Sequence, residues 1–514
     1  GATDKWDGWN GGKGGTAVAR NDGSGSNGSS TSGGGKNREM IQYSVGVAVH
    51  EIGHVLGITS ESLAYYRHPL TGHPLTRRPF EVSTVTCVDG RTTPYVGMPG
   101  PQVMQEGRHE GTGNRYFEIV TPTVQRVVQN HFNCQKMKGA RLENQPTSTD
   151  CFGSHFDEML YYTEIMGAVF SQSVNILSPL TLALLEDSGW YRANYESEYV
   201  QISLFGHGAG CDFIENKCID SKGNVPDVFE EHFCNSPISI KANGRIDLER
   251  SGSQTCDPSH TQKTFCDLVN VNEVVAIGKT GTTLEPPPPK FQYFDTPNFR
   301  PYIFTNADYC PVPHLDPKSC LNYDVAITTE QAEVGEYRGV DSRCVETDGS
   351  RSYSLCLKTW CSRNLGKVQI RAGGQRRTCN YDGQIHKVMY DYDGGGELRI
   401  KCPKAALVCP EFFCPANCAG RGECVYASDR KEEEDDVFGN SNAHAKCVCD
   451  SEDDSSTGCF GTNLNFPAVY GYEYENPNRA NKMMFMFIVG SLVAGLAVMF
   501  VCVRQWKARQ NVFM

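Results

Sequence analysis

His50-Glu51-Ile52-Gly53-His54, running on into Val55-Leu56-Gly57, sets two imidazoles and a carboxylate at the spacing a catalytic zinc requires. Residues four apart on a helix stand one turn above each other, so His50 and His54 can aim two nitrogens at one Zn2+. Glu51 then flanks the water on the open side of the metal. Zinc lowers the pKa of that water to about 7 and polarises the scissile carbonyl, while the glutamate takes the proton as general base. The implied chemistry is peptide-bond hydrolysis. A short pattern of this kind also arises by chance, so its setting decides. Val45, Val49, Ile52, Val55 and Leu56 recur at helical spacing and should pack on the side away from the metal, and Gly57 stands where a helix C-cap belongs. The spacing predicts a helix over residues 41–58 that presents the motif.

A hydrolytic zinc normally takes three protein ligands and leaves its fourth position to water. The compact metzincin pattern puts the third ligand six residues after the second histidine, where this chain has Ser60. A downstream glutamate would serve in another class of zinc peptidase, but Glu81 follows Arg78-Pro79-Phe80, a poor helix context. Much further along, Gly153-Ser154-His155-Phe156 precedes Glu164-Ile165-Met166-Gly167-Ala168, so a histidine is trailed by a methionine in a turn.

That pairing resembles the third ligand and Met-turn of the leishmanolysin family, zinc metalloproteases of the metzincin type with a long insert between the second and third histidines. The resemblance extends through Thr121-Pro122-Thr123-Val124, His131-Phe132-Asn133-Cys134, Ala140-Arg141-Leu142-Glu143, Leu180 to Tyr191, Gly208 to Phe213, Asp308 to Val312 and Asp341 to Val345. It implies a zinc endopeptidase at the cell surface acting on proteins and peptides, with one catalytic zinc and no other cofactor. His50, His54 and His155 would be the metal ligands, Glu51 the general base and Met166 the Met-turn residue. Two departures stand out. Gly167 replaces the alanine expected after the methionine, which a turn can absorb because glycine tolerates most backbone angles. Members of the family also build a sheet ahead of the active-site helix, whose edge strand pairs with substrate. The residues before the helix here contain no strand pattern, and Asn10 to Lys36 is dominated by Gly, Ser and Asn. We therefore expect a truncated member with one open cleft wall, irregular residues 8–37 and no protease activity in residues 1–514 alone.

Composition bounds the setting. Twenty-three cysteines in 514 residues are too many for a reducing compartment. Twenty-two of them precede residue 460, an even number that allows eleven disulfides, while Cys502 is left in an apolar segment. The formal charge of −12 argues against nucleic-acid binding, and Glu432 to Asp436 reads as a solvated acidic loop. Met483 to Val503 carries no charge over 21 residues, enough to cross about 30 Å of hydrocarbon as a helix. Arg504, Lys507 and Arg509 follow, so the tail should be cytosolic and the bulk of the chain extracellular. A stop-transfer helix fits this segment better than the alternative, a removable lipid-anchor signal. The expected location is the cell surface, as a single-pass membrane protein. Export needs a targeting signal, and the chain starts at Gly1 without one, again as expected of a truncated sequence.

The expected class is α+β: a metzincin-like catalytic core without its N-terminal sheet, a disulfide-rich mixed C-terminal domain, a small cysteine module and one transmembrane helix. A Gly/Ser-rich disordered segment (1–40) precedes the catalytic region (41–191), which holds the long insert (59–152). Within it, helices are predicted from about Thr121 and from Pro179 to Asp187. The C-terminal domain (192–408) should be irregular and disulfide-stapled, with short strands such as Gly366 to Ile370 and Glu397 to Cys402. Cys414, Cys418, Cys424, Cys447, Cys449 and Cys459 (409–460) resemble an epidermal-growth-factor-like module, a type that mostly serves as a spacer or interaction knob. That resemblance implies pairing Cys414–Cys424, Cys418–Cys447 and Cys449–Cys459. A linker (461–482), the membrane helix (483–503) and a cytosolic tail (504–514) complete the chain. Two functions compete. One is a membrane-anchored zinc metalloendopeptidase; the other is a surface adhesion or interaction protein on a catalytically impaired protease fold. Retention of Glu51 favours the enzyme, because a retired site has no chemical need for it. Oligomeric state is left open.

Overall fold

The first helix, α1 (Gly33–Val55), carries the histidine pair. It stops as its sequence suggests. The Ile58 amide donates to the Gly53 carbonyl at 3.0 Å and the Gly57 amide to that of His54 at 3.0 Å. Gly57 takes φ +108°, so this is a Schellman C-cap closing over a left-handed glycine. The computed structural model describes residues 33–461 except 70, 144–150, 169–174, 242–244, 249, 273–292, 295–297, 324, 349–352, 391–395 and 428–443, and side chains in α1 from residue 43. Residues 1–32, the acidic run 432–436, the polyproline stretch at 286–289 and everything from 462 onward, including the expected span 483–503, lie outside the described residues. Among the described residues no helix is long and apolar enough to cross a membrane.

Two expectations about α1 need correction. Helix extends back to Gly33, so residues 33–40 are not irregular. Once a helix is nucleated each added residue gains a hydrogen bond, and a glycine costs only about 1 kcal/mol relative to alanine, so poor composition does not by itself stop the ladder. The apolar stripe is also not packed away: Val45 is 56% exposed, Ile52 50% and Val55 85%. Only Val49 of that set packs against the core. Periodicity reports that a helix has an apolar face, not what lies over it.

Three further helices place the site. α2 (Pro122–Phe132) has Thr121 as an extended N-cap and Pro at its first turn, and ends on Asn133 in the left-handed region. It buries Val124, Val127, Val128 and Phe132. α3 (Glu158–Tyr161) is a single turn capped by the Asp157 carboxylate, which accepts from the Met159 amide at 2.9 Å. α4 (Pro179–Asp187) has the expected bounds and is capped by Ser178 Oγ, which accepts from the Leu180 amide at 3.0 Å. At its far end the Asp187 carboxylate accepts from the Thr123 and Val124 amides at 2.9 and 3.0 Å, so the end of α4 caps the start of α2.

The insert between the histidines is ordered around the hairpin Val82–Thr86 with Thr92–Val96 and a three-stranded sheet of Met104–Arg108, Arg115–Ile119 and Ala140–Arg141. Cys87–Cys151 closes it and Cys134–Cys211 ties it forward. One apolar core runs from Ile58 through α2, α3 and α4 to Phe205, Phe213 and Val312. A second sits under an antiparallel sheet of Ser342–Glu346, Ser354–Ser362, Lys367–Ala372 and Gln375–Thr378, beside the hairpin Ile385–Tyr390 with Gly396–Lys401. The molecule is thus mixed α and β. Its eleven disulfides use all twenty-two cysteines before residue 460.

The last three disulfides, Cys414–Cys424, Cys418–Cys447 and Cys449–Cys459, follow the expected pairing. The module they hold is not a detached knob. Its chain passes through a left-handed turn, Ala416 to Ala419, with φ between 45° and 57°, a conformation that costs L-residues about 1–2 kcal/mol each. That turn aims backbone groups at α2. Asn130, wholly buried, donates through Nδ2 to the Asn417 and Gly422 carbonyls at 2.9 Å each and accepts through Oδ1 from the Cys424 amide at 2.9 Å. Arg421 donates to Glu186 of α4 at 2.7 Å. Replacing Asn130 by Ala strands a buried amide and two carbonyls, so we expect a loss of roughly 2–4 kcal/mol in denaturant unfolding. A loss below about 0.5 kcal/mol would mean that the module rests on the helices without bracing them.

Candidate metal centre

Both ends of the insert converge on α1. His50 Nδ1 lies 2.7 Å from the Ile165 carbonyl, and His54 Nδ1 lies 2.7 Å from that of Ile58. A carbonyl oxygen only accepts, so each Nδ1 carries the ring proton and each Nε2 is the unprotonated nitrogen. His155 Nδ1 faces the Glu143 carboxylate at 3.2 Å, which sets the same tautomer. The three Nε2 atoms point at one another. That of His54 is 2.9 Å from that of His50 and 3.2 Å from that of His155. Burial pushes the His50 imidazolium down to about 4, with the Ile165 bond opposing and the two neighbouring imidazoles adding to the drop. His54 is lowered too, again chiefly by burial. His50 and His54 are therefore neutral at physiological pH.

Converging lone pairs repel, and His50 and His54, each with its ring proton on Nδ1, have no proton to share between their Nε2 atoms. A cation among them removes the conflict. Zinc–nitrogen bonds of about 2.0–2.1 Å in tetrahedral geometry set neighbouring nitrogens about 3.3 Å apart, close to the spacing found. Each ring's other nitrogen already has an acceptor, the outer shell that fixes ring orientation and raises ligand basicity. The donor set fits a zinc ion. The remaining His/Cys/acidic groupings among the described residues are built on disulfide-bonded cysteines and are not available.

The methionine turn supplies the floor. The Gly167 amide donates to the Glu164 carbonyl at 3.1 Å, and the Met166 carbonyl accepts from the Phe156 amide at 2.9 Å, pinning the turn beside His155. Met166 is fully buried. Its Sδ lies so close to α1 that a Cβ on Gly53 would sit 2.5 Å from it, which accounts for glycine at the position before the second histidine. Gly167 is less constrained: an added Cβ would come no nearer than 3.3 Å to the Glu164 carbonyl oxygen, so alanine would fit with a small shift. Below the turn, buried Glu164 accepts from Thr181 Oγ1 at 2.6 Å and from Ser178 Oγ, both at the start of α4. Burial raises its pKa to about 7 against the pull of those bonds.

Glu51 is exposed on α1 beside His50, and its charge is felt at His54. His109, in the middle of the insert, is not in the cluster. It is buried, accepts from the Thr112 amide at 3.1 Å and meets Tyr293 edge to face. Ser60, where a compact pattern would place a ligand, clasps the loop before His155 instead: its amide donates to Ser154 Oγ at 3.0 Å. Glu143 holds His155 in place, a role that no motif around it marks. Its carboxylate is pinned between His155 and Gly153, where a Cβ would sit 2.6 Å from Oε2. Its spacing from His155 carries no pattern that could have revealed this. A strand-like pairing does it, with the Glu143 amide donating to the His155 carbonyl at 2.9 Å.

The peptidase family model described as leishmanolysin matches residues 36–414. A leishmanolysin-like peptidase of Caenorhabditis elegans is 25% identical over 426 residues, covering 74% of this chain and 58% of that protein. One from Drosophila melanogaster is 32% identical over 186 residues, covering 35% of this chain and 26% of its own length. Leishmanolysin of Leishmania major is 24% identical over 307 residues, covering 57% and 44%. The chain spans little more than half the length of the nematode relative it matches.

Proposed function

Because this chain belongs to the leishmanolysin family of metallopeptidases, we propose that it serves as a membrane-anchored zinc endopeptidase hydrolysing peptide bonds of extracellular proteins. The observation that carries the reading is the convergence of the Nε2 atoms of His50, His54 and His155 on one point. These residues would hold the ion. When bound, zinc supplies Lewis acidity to the scissile carbonyl and lowers the pKa of a water at its open position to about 7.

The chain's own residues do the rest. The Ile165 and Ile58 carbonyls and the Glu143 carboxylate hold the three rings in the Nδ1-protonated form and fix their directions. Met166 packs against the active-site helix at Gly53, which makes room for it. The Glu51 carboxylate, exposed next to the histidines, takes a proton from the attacking water and passes it to the amine nitrogen that leaves. Anchoring rests on the uncharged segment 483–503 and the cations after it. An epidermal-growth-factor-like identity for residues 409–460 rests on the cysteine spacing, and the pairing of those cysteines supports it.

The test is metal analysis coupled to casein hydrolysis by the full-length protein. We expect one zinc per chain, activity lost on dialysis against a chelator and recovered with stoichiometric zinc. Hydrolysis that persists after complete zinc removal would refute the reading.

A further inference from the structure

The four-stranded antiparallel sheet over the second core has one face closed; its other face is buried at Cys344 and Cys356 and opens only toward its last two strands. Val368, Ile370 and Ala372 are buried on the closed face. On the other, the register sets Trp360 opposite Gln369, Ser362 opposite Lys367 and Arg371 opposite Arg376, with Lys358 two residues from Trp360 on the same face. This collects four cations on three strands of a chain whose net charge is −12. The Arg376 guanidinium stands 4.7 Å over the Trp360 ring, and Lys358 Nζ stands 5.5 Å from it on a second approach. Lys358 pairs with Asp341 at 2.7 Å and Lys367 donates to Asn380 at 2.9 Å.

Arg371 and Arg376 are different. They flank the tight Gly373-Gly374 turn, both glycines at positive φ, and are both exposed. Among the described residues neither has a carboxylate partner. Like charges directly opposite each other across antiparallel strands destabilise the pair, so this arrangement breaks a local rule without an internal gain. A bound anion supplies the gain. Two guanidiniums can each take an oxyanion in a bidentate fork, and a half-buried tryptophan between cations offers a flat apolar surface beside them.

We propose that this sheet face is a binding site for a sulfated polysaccharide, with Arg371 and Arg376 taking sulfates and Trp360 stacking on a sugar ring. Lys367 to Arg371 spans four residues, about 13 Å of strand, a flat run suited to an extended linear polyanion. A membrane surface fits less well, because Trp360 is half-buried and held under Arg376, whereas interfacial binding needs apolar side chains that project into the lipid.

The test is binding of the full-length protein to immobilised heparin, to chemically desulfated heparin and to phosphatidylserine-containing vesicles. We expect binding to heparin that weakens with salt, little to the desulfated form, and a rise in Kd of about tenfold or more for Arg371→Glu/Arg376→Glu. The milder Arg371→Gln/Arg376→Gln variant should move the same way, which guards against a folding defect. The charge-matched control Arg77→Glu/Arg108→Glu should bind as the parent does. No binding to heparin, equal loss in the control, unchanged binding by both double variants, or tighter binding to vesicles than to heparin would each overturn the proposal.

Discussion

Glu51→Gln is expected to abolish protein hydrolysis and to leave zinc in place. The carboxylate moves a proton and holds no metal, so the amide, equal in size and unable to act as a base, should remove at least the roughly 10²–10⁴-fold that general base catalysis contributes. Zinc content, measured by atomic absorption after dialysis against metal-free buffer, should stay at one per chain. The structure makes the two readouts separable. The three imidazoles take their orientation from Ile165, Ile58 and Glu143, none of which depends on Glu51. Zinc lost in proportion to activity would make Glu51 a ligand and overturn its role.

His155→Ala, by contrast, should weaken zinc binding by roughly a hundredfold or more, since it removes a ligand and not merely one of the outer partners whose loss costs 10–100-fold. His109→Ala should leave zinc affinity unchanged. That histidine lies within the insert, with burial lowering its pKa to about 3, and it packs on Tyr293 outside the cluster. Competition with a chromogenic chelator measures both variants. If His155→Ala kept parental affinity, the third ligand would have to be sought elsewhere.

How much of this was legible beforehand depends on how far apart the cooperating residues stand. The Thr121-Pro122 and Ser178-Pro179 starts and the Gly57 stop were readable because capping and φ preferences act within a turn. The short strands near 366–370 and 397–402 appear within a residue or two of expectation, as Lys367–Ala372 and Gly396–Lys401. The apolar stripe on α1 misled, because its periodicity is a property of the helix and its burial is a property of neighbours. Glycine content misled in the opposite direction over residues 33–40, where a continuing ladder outweighs propensity.

By itself, then, the sequence determined the chemistry: which side chains can ligate and which can take a proton, that His50 and His54 share a helix face, and an oxidising setting for its cysteines. Only the tertiary structure decided which nitrogen of each ring faces the cluster. That choice is made by the Ile165 and Ile58 carbonyls and by Glu143, and it brings His155 to His54 across 101 residues. It also decided that Met166 presses on Gly53 and that the six-cysteine module grips α2 through Asn130. The reason is the same in each case. Helix spacing and caps are enforced by bonds within a few residues, whereas a tautomer, a floor and a brace require groups that only long-range packing brings within hydrogen-bond reach.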